Sequence, residues 1–140
     1  MASYNKFNQF VEDLGRKVHN LNTDTLKIAL SNSAPSASNA VRGDITEISA
    51  GNGYSAGGSA IGSNAYAQSG GTGKLTGNDV VFTASGTLGP FRYAVLYNDT
   101  PTAPADPLIG WWDRGSSITL ASGDTFTVDL DQVNSILQLA

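Results

Sequence analysis

A chain of 140 residues with no cysteine and one histidine has room for one domain with a sizeable core. It cannot be stapled by disulfides, and a single copy cannot assemble the usual thiolate or imidazole metal sites. Charged residues make up only 14% of the chain and the net charge is −4, so much of the surface must be neutral Ser, Thr, Asn, Gly and Ala. Nucleic acid is not an expected partner, because such binders cluster Lys and Arg to release counterions.

The charge is also uneven. From Asp99 onward six aspartates face the single cation Arg114, whereas the stretch up to Leu30 carries Lys6, Arg16, Lys17 and Lys27 against Glu12, Asp13 and Asp24. Such polarity suits head-to-tail contacts, although a solvated acidic face is the commoner arrangement. The amino terminus shows no apolar signal-peptide core, and nowhere do about 18 apolar residues run together to span a bilayer. The expectation is a protein made and kept in a cytoplasm unless it leaves by lysis, with no membrane partner.

Phe7, Phe10, Val11, Leu14, Val18 and Leu21 recur at three- and four-residue spacing, which predicts one amphipathic helix over about Tyr4 to Val18, capped by Ser3 and weakened in its centre by Gly15. Its apolar side, Phe7, Phe10 and Leu14, needs a partner surface. After Asn22 the period changes to two. Leu26, Ile28 and Leu30 alternate with Thr25, Lys27 and Ala29 as in a strand with one buried face.

A loop marked by Pro35 covers Ser31 to Asn39, and Ile45 and Ile48 open the next apolar segment. That segment ends in Ala50-Gly51-Asn52-Gly53, where Asn-Gly signals a tight turn. Ser55 to Gly77 is Gly, Ser, Ala, Thr and Asn with few large side chains, compatible with a long loop or with thin edge strands. Val80 to Phe82 and Phe91 to Tyr97 read as strands, the second central because both faces are partly apolar. A proline-rich connection (Pro101, Pro104, Pro107) leads to a strand at Leu108 to Asp113. Ile118 and Leu120, the Ser122-Gly123-Asp124 turn, and Phe126, Val128 and Leu130 predict a hairpin, and Ile136 to Leu139 a last short strand. Short strands at near-regular spacing without intervening helices predict an all-β fold, a jelly-roll-like antiparallel β-sandwich with one N-terminal amphipathic helix. The division expected is an N-terminal helix or arm over residues 1–22 and a β-sandwich domain over 23–140.

Catalytic and ligand motifs are hard to find. Gly51-Asn52-Gly53-Tyr54-Ser55-Ala56-Gly57 resembles a dinucleotide fingerprint, but its third glycine comes one position too late and no helix pattern follows. Gly73-Lys74-Leu75 evokes a phosphate loop, yet Leu75 stands where a hydroxyl must bind magnesium and Gln68 where the leading glycine belongs. His19 is the only possible imidazole base, and a histidine near a helix carboxyl end already interacts well with the dipole. Asp129 and Asp131 could share one strand face towards calcium or act as an acid pair, against the commoner case of solvated carboxylates. No catalytic residue, cofactor or metal is expected. Trp111 and Trp112 must point to opposite faces of a strand. One belongs to the core; the other either anchors an interface or a sugar, or is covered by the helix or a loop.

Several segments together resemble small structural proteins of tailed bacteriophages, specifically the capsid decoration or cement proteins. They are YNKFNQFVEDLGRKVHNL (Tyr4 to Leu21), DTLKIALSNSAP (Asp24 to Pro35), DITEISAGNGYSAGG (Asp44 to Gly58), YAVLYNDT (Tyr93 to Thr100), and the later PLIGWWDRG and GDTFTVDL. The resemblance implies a non-enzymatic jelly-roll protein, a homo-oligomer of two or three copies, on the outer surface of an assembled virion. There it binds across neighbouring capsomers of the major capsid protein lattice. On this expectation the Phe7, Phe10 and Leu14 face clamps the body or a sister subunit, the loop around Tyr54 touches the shell, and Trp111 or Trp112 adds to an interface. A phage tail or baseplate component and a carbohydrate-binding β-sandwich module are the alternatives.

Overall fold

Alternating side chains in Leu26–Ser31 and Leu88–Asn98 build two paired strands at the middle of the molecule, and everything else is arranged around them. The computed structural model describes residues 3–130 and 135–139. In chain order the elements are β1 (Tyr4–Lys6), α1 (Asn8–Gly15), β2 (Leu26–Ser31), a 3₁₀ turn at Arg42–Asp44, β3 (Ser59–Ala60), β4 (Ala65–Ser69), β5 (Thr72–Thr76), β6 (Val80–Thr83), β7 (Leu88–Asn98), β8 (Leu108–Leu120), β9 (Thr125–Val128) and β10 (Leu137–Leu139). The strands form a five-stranded sheet in the order β1-β8-β7-β2-β3, a three-stranded sheet β10-β5-β4 and a β6-β9 pair. All of these pairings are antiparallel. The protein is mostly β with one short α-helix, as the strand periodicity predicts.

The middle of the five-stranded sheet is buried on both faces. Leu26, Ile28 and Leu30 of β2, with Ala94 and Leu96 of β7, enter the larger core, where Leu75 of β5, Phe82 of β6 and Val128 of β9 meet them from the smaller sheets. Ala29, Val95, Tyr97 and Leu108 face the other way into a second cluster with Phe7, bordered by Ile45 and Trp111. A bulge in β8 decides which residue goes where. Leu96 pairs with Gly110 and Tyr97 with Leu108, which leaves Ile109 as the extra residue. Leu108 and Trp111 consequently serve the second cluster, and Ile109 and Trp112 the larger core.

The amino-terminal helix is shorter than the periodicity predicts. Tyr4–Lys6 is extended and pairs with Gly110–Trp112 at the sheet edge, and the Phe7 N–H donates to the Ile109 carbonyl at 3.2 Å. Phe7, at φ −77° and ψ 142°, is the residue before the helix, so Ser3 caps nothing. At the other end Gly15 is the last helical residue rather than the centre, and Lys17 at φ 67° turns the chain away. Ladder hydrogen bonds and burial of the Phe7 ring outweigh helix propensity here, a common outcome in short segments.

Further along, local alternation gives way to register imposed by the sheets. The Ser122-Gly123-Asp124 turn forms, with Gly123 at φ 90°, but it does not join a hairpin. β8 pairs with β7, whereas β9 pairs with β6 through Val80↔Val128 and Phe82↔Phe126. Leu108–Asp113 and Ile118–Leu120 are one long strand. The segment at Ile45 to Ile48 makes only an isolated bridge, Ser31↔Glu47. In Ser55 to Gly77 the thin strands β3, β4 and β5 form, and Gly70 and Gly71 at φ 60° and 86° supply the two-residue turn between β4 and β5.

Because Phe7 is fully buried in the second cluster, Phe7→Ala should cost about 3–5 kcal/mol of stability. Urea unfolding curves of the two proteins measure the difference, and a loss under about 0.5 kcal/mol, the usual range for surface positions, would show that the amino terminus is not part of the core.

Candidate functional site: a strap locked by Glu47

Between the 3₁₀ turn and β3 the chain crosses the open edge of β2 as an irregular strap, and its small residues have specific work. Asn52 and Gly53 lie at φ 56° and 100°, the pair of positive values that a type I′ turn needs. Gly51 and Tyr54 exchange both backbone hydrogen bonds, at 2.7 and 3.1 Å. The turn is pressed onto the β6–β7 connection: a Cβ on Gly53 would collide with the Thr83 carbonyl oxygen. Asn52 Nδ2 donates to the Thr87 carbonyl at 2.7 Å, and the Ser85 N–H donates to the Asn52 carbonyl at 3.0 Å.

Tyr54 follows the turn and points inward, not out from a loop tip. It is 3% exposed, its ring 5.8 Å from that of Phe82. Its hydroxyl accepts the Leu30 N–H at 3.0 Å and donates to Glu47 Oε2 at 3.0 Å. Burial holds the phenol far above its ordinary titration range. The expectation of Tyr54 exposed at a loop tip is thereby corrected: the ring anchors the strap, because a large aromatic beside an open apolar core gains more by entering it.

Glu47 is the hub. Its carboxylate accepts the Gly57 N–H, at 2.7 Å to Oε2 and 2.9 Å to Oε1, the Tyr54 hydroxyl, and Arg42 Nη1 at 3.3 Å. Arg42 also reaches Asp106 Oδ2 at 3.4 Å and lies 5.6 Å from the centre of the Tyr97 ring. Burial alone would lower the Arg42 guanidinium, but Tyr97, Glu47 and Asp106 together hold it above its usual value. The Tyr97 hydroxyl donates to the Gly57 carbonyl, so Gly57 is gripped on both sides of its peptide backbone. Asp44, an exposed carboxylate, accepts the N–H groups of Ala40 and Val41, which lowers its pKa.

Beside these ties the exposed residues are small and uncharged: Ser49, Ala50, Gly51, Asn52, Gly53, Ser55 and Ala56 on the strap. Ser49, Ala50, Gly51 and Asn52 border a shallow cleft of about 420 Å³ whose opposite wall is Asn32, Ser33, Thr87, Gly89 and Pro90. Among the described residues Glu47 is the only charge in this cleft lining, and it is the only one in the sequence between Ile45 and Gly58; its hydrogen bonds already occupy it.

The other expected residues lie elsewhere. Phe7 and Phe10 are buried, in the second cluster and the larger core respectively, and Leu14 is half-buried beside Phe10's core. Trp111 stacks at 4.5 Å on Phe7, and Trp112 meets Tyr4 edge-on at 5.6 Å. Both tryptophans are half-buried on opposite faces. Trp112 borders a groove of about 960 Å³ together with Tyr4, Arg92, Asp113 and Asp129. Arg92 and Asp113 are joined there by two hydrogen bonds, at 2.7 and 3.0 Å. Asp129 is exposed, and Asp131 lies outside the described residues. Among the described residues no group of three or more His, Asp or Glu side chains is placed to hold a metal ion. Sequence reasoning missed Arg42 and Glu47. The signal was there: one carboxylate in a stretch of glycines whose N–H groups need acceptors.

Removing the Tyr54 hydroxyl leaves the Leu30 N–H and a Glu47 lone pair buried without it. Tyr54→Phe should therefore cost about 1–3 kcal/mol, read from chemical denaturation, with no change in the circular dichroism of the folded protein. Unchanged stability would mean that water replaces the hydroxyl freely and that the strap is not locked at this point.

Compared with known protein families, curated proteins and solved structures, the chain matches none.

Proposed function

We propose that this protein is a structural component of a tailed-phage virion, a decoration protein that binds the outer capsid surface across neighbouring capsomers, and that its antiparallel sheets close as a jelly-roll-type β-sandwich. The observation that carries the reading is the charge-free exposed strap from Ser49 to Ala56, held by the buried Tyr54 and the half-buried Glu47 and Arg42 side chains. A surface of small neutral residues loses little hydration on contact, and one fixed in advance loses little conformational entropy. The segments that resemble decoration proteins include this strap, Asp44 to Gly58. Two or three associated copies would each present it to a shell subunit, so weak single contacts would add up through effective concentration. The protein acts by binding, without catalysis, cofactor or nucleic acid.

The test is binding to empty, expanded heads of the phage that carries the protein. Cosedimentation should saturate, and the bound heads should resist heating better than bare ones. Ser55→Asp, an exposed change that touches no buried tie, should weaken binding about tenfold or more by placing an unpaired charge in the contact. Copurification of the native protein with tails instead of heads, or unaltered head binding by the Ser55→Asp protein, would overturn the assignment or the surface respectively.

A further inference from the structure

Behind the turn that joins α1 to β2 lies a buried polar cluster that the strap does not involve. His19 is 6% exposed and Asp13 4%, and the imidazole rests against the Phe10 ring with centroids 5.2 Å apart. Asn98, fully buried at the end of β7, donates through Nδ2 to Asp24 Oδ2 at 2.8 Å and to His19 Nδ1 at 3.1 Å. Its Oδ1 accepts the Thr100 N–H at 3.1 Å. These contacts fix the amide, since turning it over would set its oxygen against the Asp24 carboxylate and its hydrogens against the Thr100 N–H. His19 Nδ1 must then be an acceptor, and the imidazole proton sits on Nε2. Neither Nε2 nor Asp13 Oδ2 has a hydrogen-bond partner among the described residues.

A second proton has no good place to go. On Nδ1 it would point at the Asn98 donor and break the bond that ties the α1–β2 turn to the sheet. We propose that Asn98, Asp24 and His19 form an acid-sensitive latch, which holds the segment from Asn8 to Asn22 against the sheets only while the imidazole is neutral.

The charges around His19 set the direction. Burial lowers its pKa, and this outweighs the opposing pull of Asp13 from α1 and Asp24 from the turn. Lys17 and Tyr66 line the same cleft, of about 370 Å³. A folded-state pKa below that of the unfolded chain means that the unfolded chain binds the proton more readily. The latch therefore contributes fully above the ordinary imidazole value of about 6.5 and is lost as pH falls from there through the folded-state value.

His19 is the only histidine, so one imidazole resonance reports its titration by NMR. The expected midpoint lies below about 6.5. Amide exchange, corrected for intrinsic rates, should show protection of α1 falling several-fold between neutral and mildly acidic pH while β7 stays protected. In His19→Gln, whose side-chain carbonyl can accept from Asn98 but cannot titrate, α1 protection should be flat over the same range. A midpoint at or above the ordinary value, constant α1 protection in the native protein, or the same loss in His19→Gln would each overturn the proposal. If the glutamine protein does not fold, the titration and exchange of the native protein decide.

Discussion

The constraint on which the rest depends is the outer edge of β2. This strand is buried on both faces and pairs with β7 along its whole length, so its other edge presents backbone groups that water cannot easily reach and that must find partners. They are satisfied piecewise. The Leu26 carbonyl accepts the Ile61 N–H at 2.8 Å, Lys27 and Ile28 pair with β3, the Leu30 N–H meets the Tyr54 hydroxyl, and the Leu30 carbonyl accepts the Ile48 N–H at 3.0 Å. A regular strand would have done this with one ladder. Here the chain instead passes so close at Gly58 that a Cβ would collide with the Ile28 carbonyl oxygen, and a phenol fills the gap that remains.

That solution explains why the strap contains both its glycines and its one carboxylate. Glycine permits the close approach and the positive φ values at Gly53, Gly57 and Gly58. The same turns aim the Gly57 N–H away from any strand, and Glu47 collects it together with the Tyr54 hydroxyl. A carboxylate so placed would be costly without a cation, and Arg42, itself balanced by Asp106, supplies one. In the proposed decoration role the result is a surface that is neutral outside because its charge is spent inside.

How much of this could be read from the sequence divides along a physical line. Local patterns carry over: the period-two runs form β2 and β7, Asn52-Gly53 forms a tight turn, and the two tryptophans take opposite faces. Non-local pairings do not. Alternation at Ile118 to Leu130 is equally consistent with a hairpin and with two strands in different sheets, and only the partners Phe82 for Phe126 and Phe91 for Ile118 distinguish them. The helix period from Phe7 to Leu21 misleads for the same reason. Phe7 and Phe10 are both apolar, but one closes the second cluster and the other enters the larger core, and spacing alone does not reveal that two cores exist. Tyr54 is conspicuous as a lone aromatic among small residues, yet whether such a ring points out or in depends on the hole it can fill.

Two cores in so small a chain also account for its composition. A sheet covered on both faces uses apolar residues on both sides of each strand, which leaves few places for charge; Lys27 meets Asp99 and Arg92 meets Asp113 at partly exposed positions. The amino terminus is held by both kinds of force. β1 and Phe7 are secured by ladder hydrogen bonds and apolar burial, which vary little with pH. From α1 to Asn22 the chain adds the buried contacts of Phe10 and Leu21, but its tie to the end of β7 runs through Asn98 and His19. Leu21 and Asn22 keep bonds that do not titrate, from Asn64 Nδ2 to the Leu21 carbonyl at 2.8 Å and from the Tyr66 N–H to Asn22 Oδ1 at 3.1 Å, so losing the His19 bond would loosen the helix while the sheet stays closed.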